Sequence, residues 1–226
     1  MNTNELASML GADYHRLTRM ARCGEIPCQT IRGEFRFNSM DIFAWLQDVL
    51  PAMALPELAQ MDIAMSQYRG VSSFGPMVSP LFHSPAISST LDARTQSSLK
   101  RKLVGMADNT DCVYDSQTLL DHLVIRTLPS GIALLHPTQA LPHALAEPVI
   151  AMAKTRGPIM VNQGTYTNLF FLCAARDESY HLHLLARLCR LLQDQDLRDQ
   201  LEQADTPLDV IEAIRDAEDS LIACAV

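Results

Sequence analysis

Leu6 and Leu10 stand one helical turn apart behind Asn2 and Glu5, whose three-residue spacing resembles a capping box, and Gly11 ends the stretch. This predicts a first helix. Asp13 can cap a second, in which Leu17, Met20 and Ala21 face inward while His15, Thr18, Arg19 and Arg22, at i, i+3, i+4 and i+7, face out, with Gly24 closing it. From Cys28 to Phe37 two short alternating arms flank Arg32-Gly33, a hairpin signal. Ser39 can cap a third helix with an apolar stripe at Ile42, Trp45, Leu46 and Val49, which Pro51 stops.

Between residues 51 and 85 the periodicity weakens. Prolines at 51, 56, 76, 80 and 85 and a Ser-Ser-Phe-Gly-Pro stretch at 72–76 predict a linker, with one helical insert over Pro56–Gln67. Beyond it strands and helices alternate. Strands are expected at Ala86–Leu91, Gly131–Leu135, Pro148–Ala153 and Asn168–Ala174, and helices near Arg94–Ala107, Asp115–Arg126, Ser179–Gln193, Asp194–Gln203 and Pro207–Glu218. The mixed order with a helical tail predicts an α/β sandwich domain. The expected division is residues 1–50, a linker over 51–85, and 86–226.

The chain has 226 residues, 48% apolar and 19% charged, a globular composition able to bury cores. Its longest uninterrupted apolar run, Leu169–Ala175, is far below the roughly 20 residues that span a bilayer, so a soluble, cytoplasmic chain without a membrane partner is expected. The cysteines at 23, 28, 112, 173, 189 and 224 lack zinc spacing and read as reduced thiols; neither metal nor cofactor is expected. A net charge of −8 argues against a polybasic nucleic-acid binder, but the charge is unevenly placed. Residues 1–50 carry five arginines against six carboxylates, whereas residues 84–226 carry twelve cations against eighteen anions. A local basic face is therefore available at the N-terminus.

The segments Asn4-Glu-Leu-Ala-Ser-Met-Leu-Gly-Ala-Asp13, Gly24-Glu-Ile-Pro27, Arg36-Phe37 and Asp41-Ile-Phe-Ala-Trp-Leu46 resemble the excisionase-type winged helix-turn-helix, a relative of the MerR DNA-binding head. The resemblance implies a second helix in the major groove of duplex DNA and a wing on the backbone. By position, His15, Arg16, Thr18, Arg19 and Arg22 would face DNA, with Arg36 on the wing. Few cations imply few phosphate contacts, so a homodimer is expected.

Further on, Gly131-Ile-Ala-Leu-Leu-His136 and His181-Leu-His-Leu-Leu-Ala-Arg-Leu188, with Leu119-Leu-Asp-His-Leu-Val-Ile-Arg126 and Phe170-Phe-Leu-Cys-Ala-Ala175 before them, resemble the enzyme IIA domain of the bacterial sugar phosphotransferase system, of the fructose, mannitol and nitrogen-regulatory class. The resemblance implies an α/β sandwich with a mixed sheet. It further implies that His136 accepts a phosphoryl group from a phosphocarrier protein, that His181 supports the site, and that Arg126 assists.

The sequence departs from that pattern. Leu135-His136-Pro137 replaces Pro-His-Gly, Thr127 replaces an acidic residue, and the Gly/Ser/Thr-rich loop is shortened to Thr127–Leu135. The two histidines should still meet at one sheet edge with Arg126 near. An open site should present a His136 nitrogen to solvent; a closed one should fold the loop or Pro137 over His136, or turn Arg126 into an ion pair.

Together the two resemblances imply a transcriptional regulator with a sensor domain that histidine phosphorylation controls. The alternatives are a phosphocarrier with an accessory docking head and a phosphorylation-silent DNA-binding dimer.

Overall fold

The computed structural model describes residues 1–68, 76–162 and 164–223. The capping signals act as the sequence predicts: Asn2 and Glu5 exchange hydrogen bonds of 2.9 and 2.8 Å to open α1 (Thr3–Leu10), and Gly11 ends it in the left-handed region at φ 62°. A side chain at Gly11 would meet the Gln60 carbonyl oxygen at 2.8 Å, so this glycine also permits a close approach. Asp13 caps α2 (Tyr14–Arg22). Strands β1 (Gln29–Ile31) and β2 (Glu34–Arg36) form the hairpin, turning at Arg32-Gly33. Helix α3 (Ser39–Val49) is capped by Asn38 rather than Ser39, and Pro51 converts its end into a single 3-10 turn, Leu50–Ala52.

The helical insert is α4 (Leu55–Tyr68). It is not a surface spacer: Leu58, Met61, Asp62, Met65 and Ser66 are buried. The Ser-Ser-Phe-Gly-Pro stretch lies mostly outside the described residues. The remaining elements are β3 (Phe82–Leu91), α5 (Gln96–Asp108), α6 (Ser116–His122), β4 (Leu123–Thr127), β5 (Ala133–Pro137), β6 (Val149–Asn162), β7 (Thr165–Ala174), α7 (Glu178–Leu192), α8 (Gln195–Gln203) and α9 (Pro207–Ala223).

A helix boundary is also corrected. The helix expected over Asp115–Arg126 stops at His122, and Leu123–Thr127 forms an antiparallel strand with β5. Val124, Ile125 and Thr127 are β-branched and favour the pleated surface that β5 offers. The sheet order is β3-β6-β7-β5-β4, with β3/β6 and β5/β7 parallel and the other pairs antiparallel.

Alternation along β7 divides the core. Leu169, Phe171 and Cys173 join one apolar cluster with the leucines of α7, whereas Phe170, Leu172 and Ala174 join a second with Leu99 and Leu103 of α5. The first cluster runs without interruption into Leu6, Leu46, Leu50 and Met61, so the N-terminal helices share their core with the α7 face of the sheet. No described helix is long and apolar enough to cross a membrane.

Candidate functional site: a buried histidine pair under the N-terminal helices

Because β5 and β7 run parallel, the end of β5 and the start of α7, which follows β7, meet at one sheet edge. Leu134 lies in the α7-side cluster and Ala133 and Leu135 in the other, so alternation turns His136 toward α7. There its ring centroid stands 5.9 Å from that of His181 in the first turns of α7, with the planes tilted by 47°. In β4, Val124 pairs with His136 and Arg126 with Leu134. Directly paired residues share a face, so Arg126 is the diagonal neighbour of His136 on the α7 side.

The expected approach of the histidines is thus found, but not as an open site. His136 is 1% exposed and His181 fully buried. His136 Nδ1 lies 3.0 Å from the Pro137 carbonyl oxygen, which can only accept, so Nδ1 carries the proton and Nε2 the lone pair. That Nε2 is buried without a hydrogen-bond partner among the described residues, as are both ring nitrogens of His181. The Pro137 carbonyl also lies toward His181, where it favours the charged ring without completing a hydrogen bond.

Burial, aided by the Arg126 charge and opposed by the Pro137 carbonyl and Asp48, holds His136 down to about 4. Burial and then His136 hold His181 down to about 3. Both rings are therefore neutral at pH 7.

Arg126 turns outward into an ion pair with Asp48, near the end of α3. The loop between β4 and β5, at the end of the ladder away from His136, is a tight turn in which Leu128 N–H donates to Ile132 O and Gly131 N–H to Leu128 O. Arg198 of α8 pins it by donating to the Ser130 carbonyl. A side chain at Gly131, φ 83°, would meet that guanidinium at 3.2 Å. Of the features expected of a closed site, the burial of His136 and the Arg126 ion pair are present, whereas the loop does not fold over His136 but turns at the far end of the β4/β5 ladder.

Sequence reasoning missed a second polar cluster behind the pair. The Asp62 carboxylate of α4 accepts from Arg187 Nε at 2.6 and 2.8 Å, His183 Nε2 at 3.0 Å and Arg190 at 3.1 Å. Glu218 of α9 receives Arg187 at 3.4 Å and the backbone N–H groups of Met77, Val78 and Ser79. Burial raises the Asp62 pKa, but the His183 hydrogen bond and the Arg187 guanidinium more than offset it, leaving it lowered.

Ser66, His183 and Asp62 are not a hydrolytic triad, because one nitrogen, Nε2, faces both Ser66 Oγ and Asp62. The cluster fastens α4 to α7 and α9. The sequence carried one signal for it: His183, Arg187 and Arg190, at i, i+4 and i+7, interrupt the leucine-rich run Leu182 to Leu192 in a helix that buries nearly every residue of that run.

On α2, His15, Arg19 and Arg22 are exposed and Thr18 is half-buried, its hydroxyl donating to the Tyr14 carbonyl. Arg16 departs from this face and meets Glu57 of α4 at 2.6 Å; Arg36 meets Glu34 on its own hairpin at 2.8 Å. A polar groove of about 350 Å³ runs between α2 and the hairpin, past Thr18, Arg22 and Arg36. Phe37 is core and Trp45 half-buried. Among the described residues no cluster could hold a metal ion.

Comparison with known proteins bears on the C-terminal part. Residues 81–217 match the family described as phosphoenolpyruvate-dependent sugar phosphotransferase system, EIIA 2. Among solved structures, IIA mannitol from Escherichia coli is similar at 18% identity and TM-score 0.51, covering 58% of this chain and 97% of that one. A PTS IIA domain from Streptococcus pyogenes M1 GAS is similar at 17% identity and TM-score 0.53, covering 64% and 98%. The Escherichia coli complex of enzyme IIAMtl with phosphorylated enzyme IIBMtl is similar at 15% identity and TM-score 0.52, covering 59% and 96%. At these identities the likeness shows the fold. No curated protein matches the chain.

Proposed function

The chain belongs to the EIIA 2 family of the phosphoenolpyruvate-dependent sugar phosphotransferase system, and we propose that it is a DNA-binding transcriptional regulator whose EIIA domain senses phosphotransfer through His136. The observation that carries this reading is the ion pair between Arg126, beside the histidine pair, and Asp48, on the helix that follows the hairpin. It joins the residue expected to assist phosphoryl transfer to the segment expected to bind DNA, so a change at one is felt at the other.

The chemistry available to His136 is nucleophilic. A neutral imidazole with its proton on Nδ1 offers the Nε2 lone pair to phosphorus. The new N–P bond forms as the N–P bond of a donor phosphohistidine breaks, and the donor imidazole leaves. Arg126 is placed to offset phosphate charge once it releases Asp48. In the closed arrangement neither condition is met, since Nε2 is buried and Arg126 engaged. Phosphorylation therefore requires the N-terminal helices to move, and the about −1.5 to −2 charges it adds would disfavour their return over Asp48.

On this reading residues 1–50 form a winged helix-turn-helix in which His15, Thr18, Arg19 and Arg22 face the major groove and Arg36 the backbone, while Arg16 is withdrawn by Glu57. So few cations call for a homodimer, with half-sites about one helical turn or a multiple apart. Fluorescence anisotropy with DNA from upstream of the protein's own gene against random DNA tests it. A clear preference that Arg19→Ala with Arg22→Ala abolishes is expected; equal binding of both DNAs counts against it.

A second reading has its own support. Pro137 beside His136 and the burial of both histidines favour a phosphorylation-silent dimer, which would keep the DNA preference and take up no phosphoryl group.

A further inference from the structure

On the opposite side of α2 from Arg19 and Arg22, the helices α2, α3 and α4 enclose a groove of about 480 Å³. From it we infer that the protein binds an organic cation with an aromatic or branched apolar body there. The inference is independent of whether His136 carries a phosphoryl group.

The volume falls in the range of about 300–1,000 Å³ that small-molecule sites occupy. Three thioethers, Met20, Met53 and Met61, line it together with the half-buried indole of Trp45. Methionines adapt their shape to an apolar guest, and an indole face attracts a cation through its quadrupole.

The charged groups at the groove choose the sign of the guest. Asp48 and Glu57 reach it from α3 and α4, with side chains 65% and 39% exposed. Each holds one guanidinium, Arg126 and Arg16, and a carboxylate has lone pairs for more than one donor or cation. Asp13, also on the wall, is engaged as the cap of α2. Arg16 is the cation among the wall residues, so an anionic guest would have to compete with Glu57 for it. A cationic guest finds two carboxylates flanking an aromatic residue. At Asp48 it would compete with Arg126 from the other side, which ties occupancy of the groove to the ion pair at the histidine site.

Trp45 is the single tryptophan of the chain, so its emission reports on this groove alone. The experiment titrates the full-length protein with (4-tert-butylbenzyl)trimethylammonium, with the neutral 4-tert-butylbenzyl alcohol and with 4-tert-butylbenzoate, following Trp45 emission and the heat of binding. The cation should bind saturably, at least about tenfold tighter than the alcohol, and the benzoate should not bind. Asp48→Asn and Glu57→Gln, both at exposed positions and checked for folding by circular dichroism, should each weaken the cation about fivefold or more. Arg126→Ala should tighten it by freeing Asp48. Equal affinity for cation and alcohol, binding of the benzoate, no saturable binding of the cation, or insensitivity to both carboxylate variants would overturn the inference.

Discussion

Arg126, the diagonal neighbour of His136 across the β4/β5 ladder, donates its guanidinium to Asp48 near the end of α3. The two residues lie 78 positions apart in the chain, and their contact ties the N-terminal helices to the edge where the histidine pair is buried. Both side chains are well exposed, 39% and 65%, so the pair adds about 0–1 kcal/mol at most to stability. Its role is to occupy Arg126. The lasting attachment of the N-terminal helices comes from apolar burial, with Leu50 and Leu58 fully inaccessible, and from the Asp62 cluster.

Asp48→Asn should accordingly leave the melting temperature nearly unchanged while speeding phosphoryl uptake at His136 severalfold, because Arg126 is released. Thermal melts and labelling from a phosphorylated carrier protein, run side by side, check this; a large loss of stability with no gain in labelling would contradict it.

Asp62→Ala should be far more costly. It leaves Arg187, 3% exposed, without its principal partner, and breaking a buried pair on one side costs about 3–5 kcal/mol. The Asp62 pKa is lowered by folding, so its contribution is fully present above the ordinary carboxylate value of 3.8 and is lost as pH falls through the lower folded value. Denaturant titrations of the wild type and the variant at pH 7 and near pH 3 should show the difference between them shrinking in acid.

The histidine pair titrates in another window. His136 and His181 are held to about 4 and about 3, so below about pH 6.5 the unfolded chain takes up protons that the folded one refuses. Stability should therefore fall as pH drops from about 6.5 toward 4, by about 1.4 kcal/mol for each pKa unit of depression. His181→Leu replaces two nitrogens that complete no hydrogen bond among the described residues and should raise stability, more at pH 5 than at pH 8. A melting curve whose pH dependence matches the wild type would show that the His181 ring is not held neutral.

The histidine edge was legible in the sequence because strand-end His136 and helix-start His181 sit in strongly patterned segments whose parallel order brings them together. The caps of α1 and α2 were legible because they are local, and that of α3 is Asn38, one residue before the expected Ser39. What failed was non-local. Leu119 to Arg126 carries helical spacing of leucines, and only its pairing with β5 turns the second half into a strand. The prolines between 51 and 85 suggested a spacer, yet α4 lies in the core, since Asp62 meets His183 and Arg187 more than 120 positions away. A polar residue on an amphipathic helix does not announce a buried partner on another helix, and whether a histidine at a strand end is open or covered depends on what packs above it.

DNA binding should depend on α2 unevenly. Arg19→Ala and Arg22→Ala should each cost about 1–3 kcal/mol if the residue reads a base, or shallow the salt dependence if it meets a phosphate. Arg16→Ala should cost little, because Glu57 already holds that guanidinium. Anisotropy titrations at several salt concentrations separate the three. If Arg16→Ala proves the most damaging, the assignment of the DNA face is wrong.

The central claim is that a phosphoryl group on His136 and the docked position of the N-terminal helices exclude one another. The most direct measurement incubates the full-length protein with phosphoenolpyruvate and the general phosphotransferase proteins, then follows deuterium exchange by mass spectrometry. We predict an acid-labile, alkali-stable phosphate on His136, absent from His136→Ala, together with faster exchange at residues 48–58 in the phosphorylated molecules. No phosphate on His136, or phosphate there with residues 48–58 as protected as before, would contradict the account.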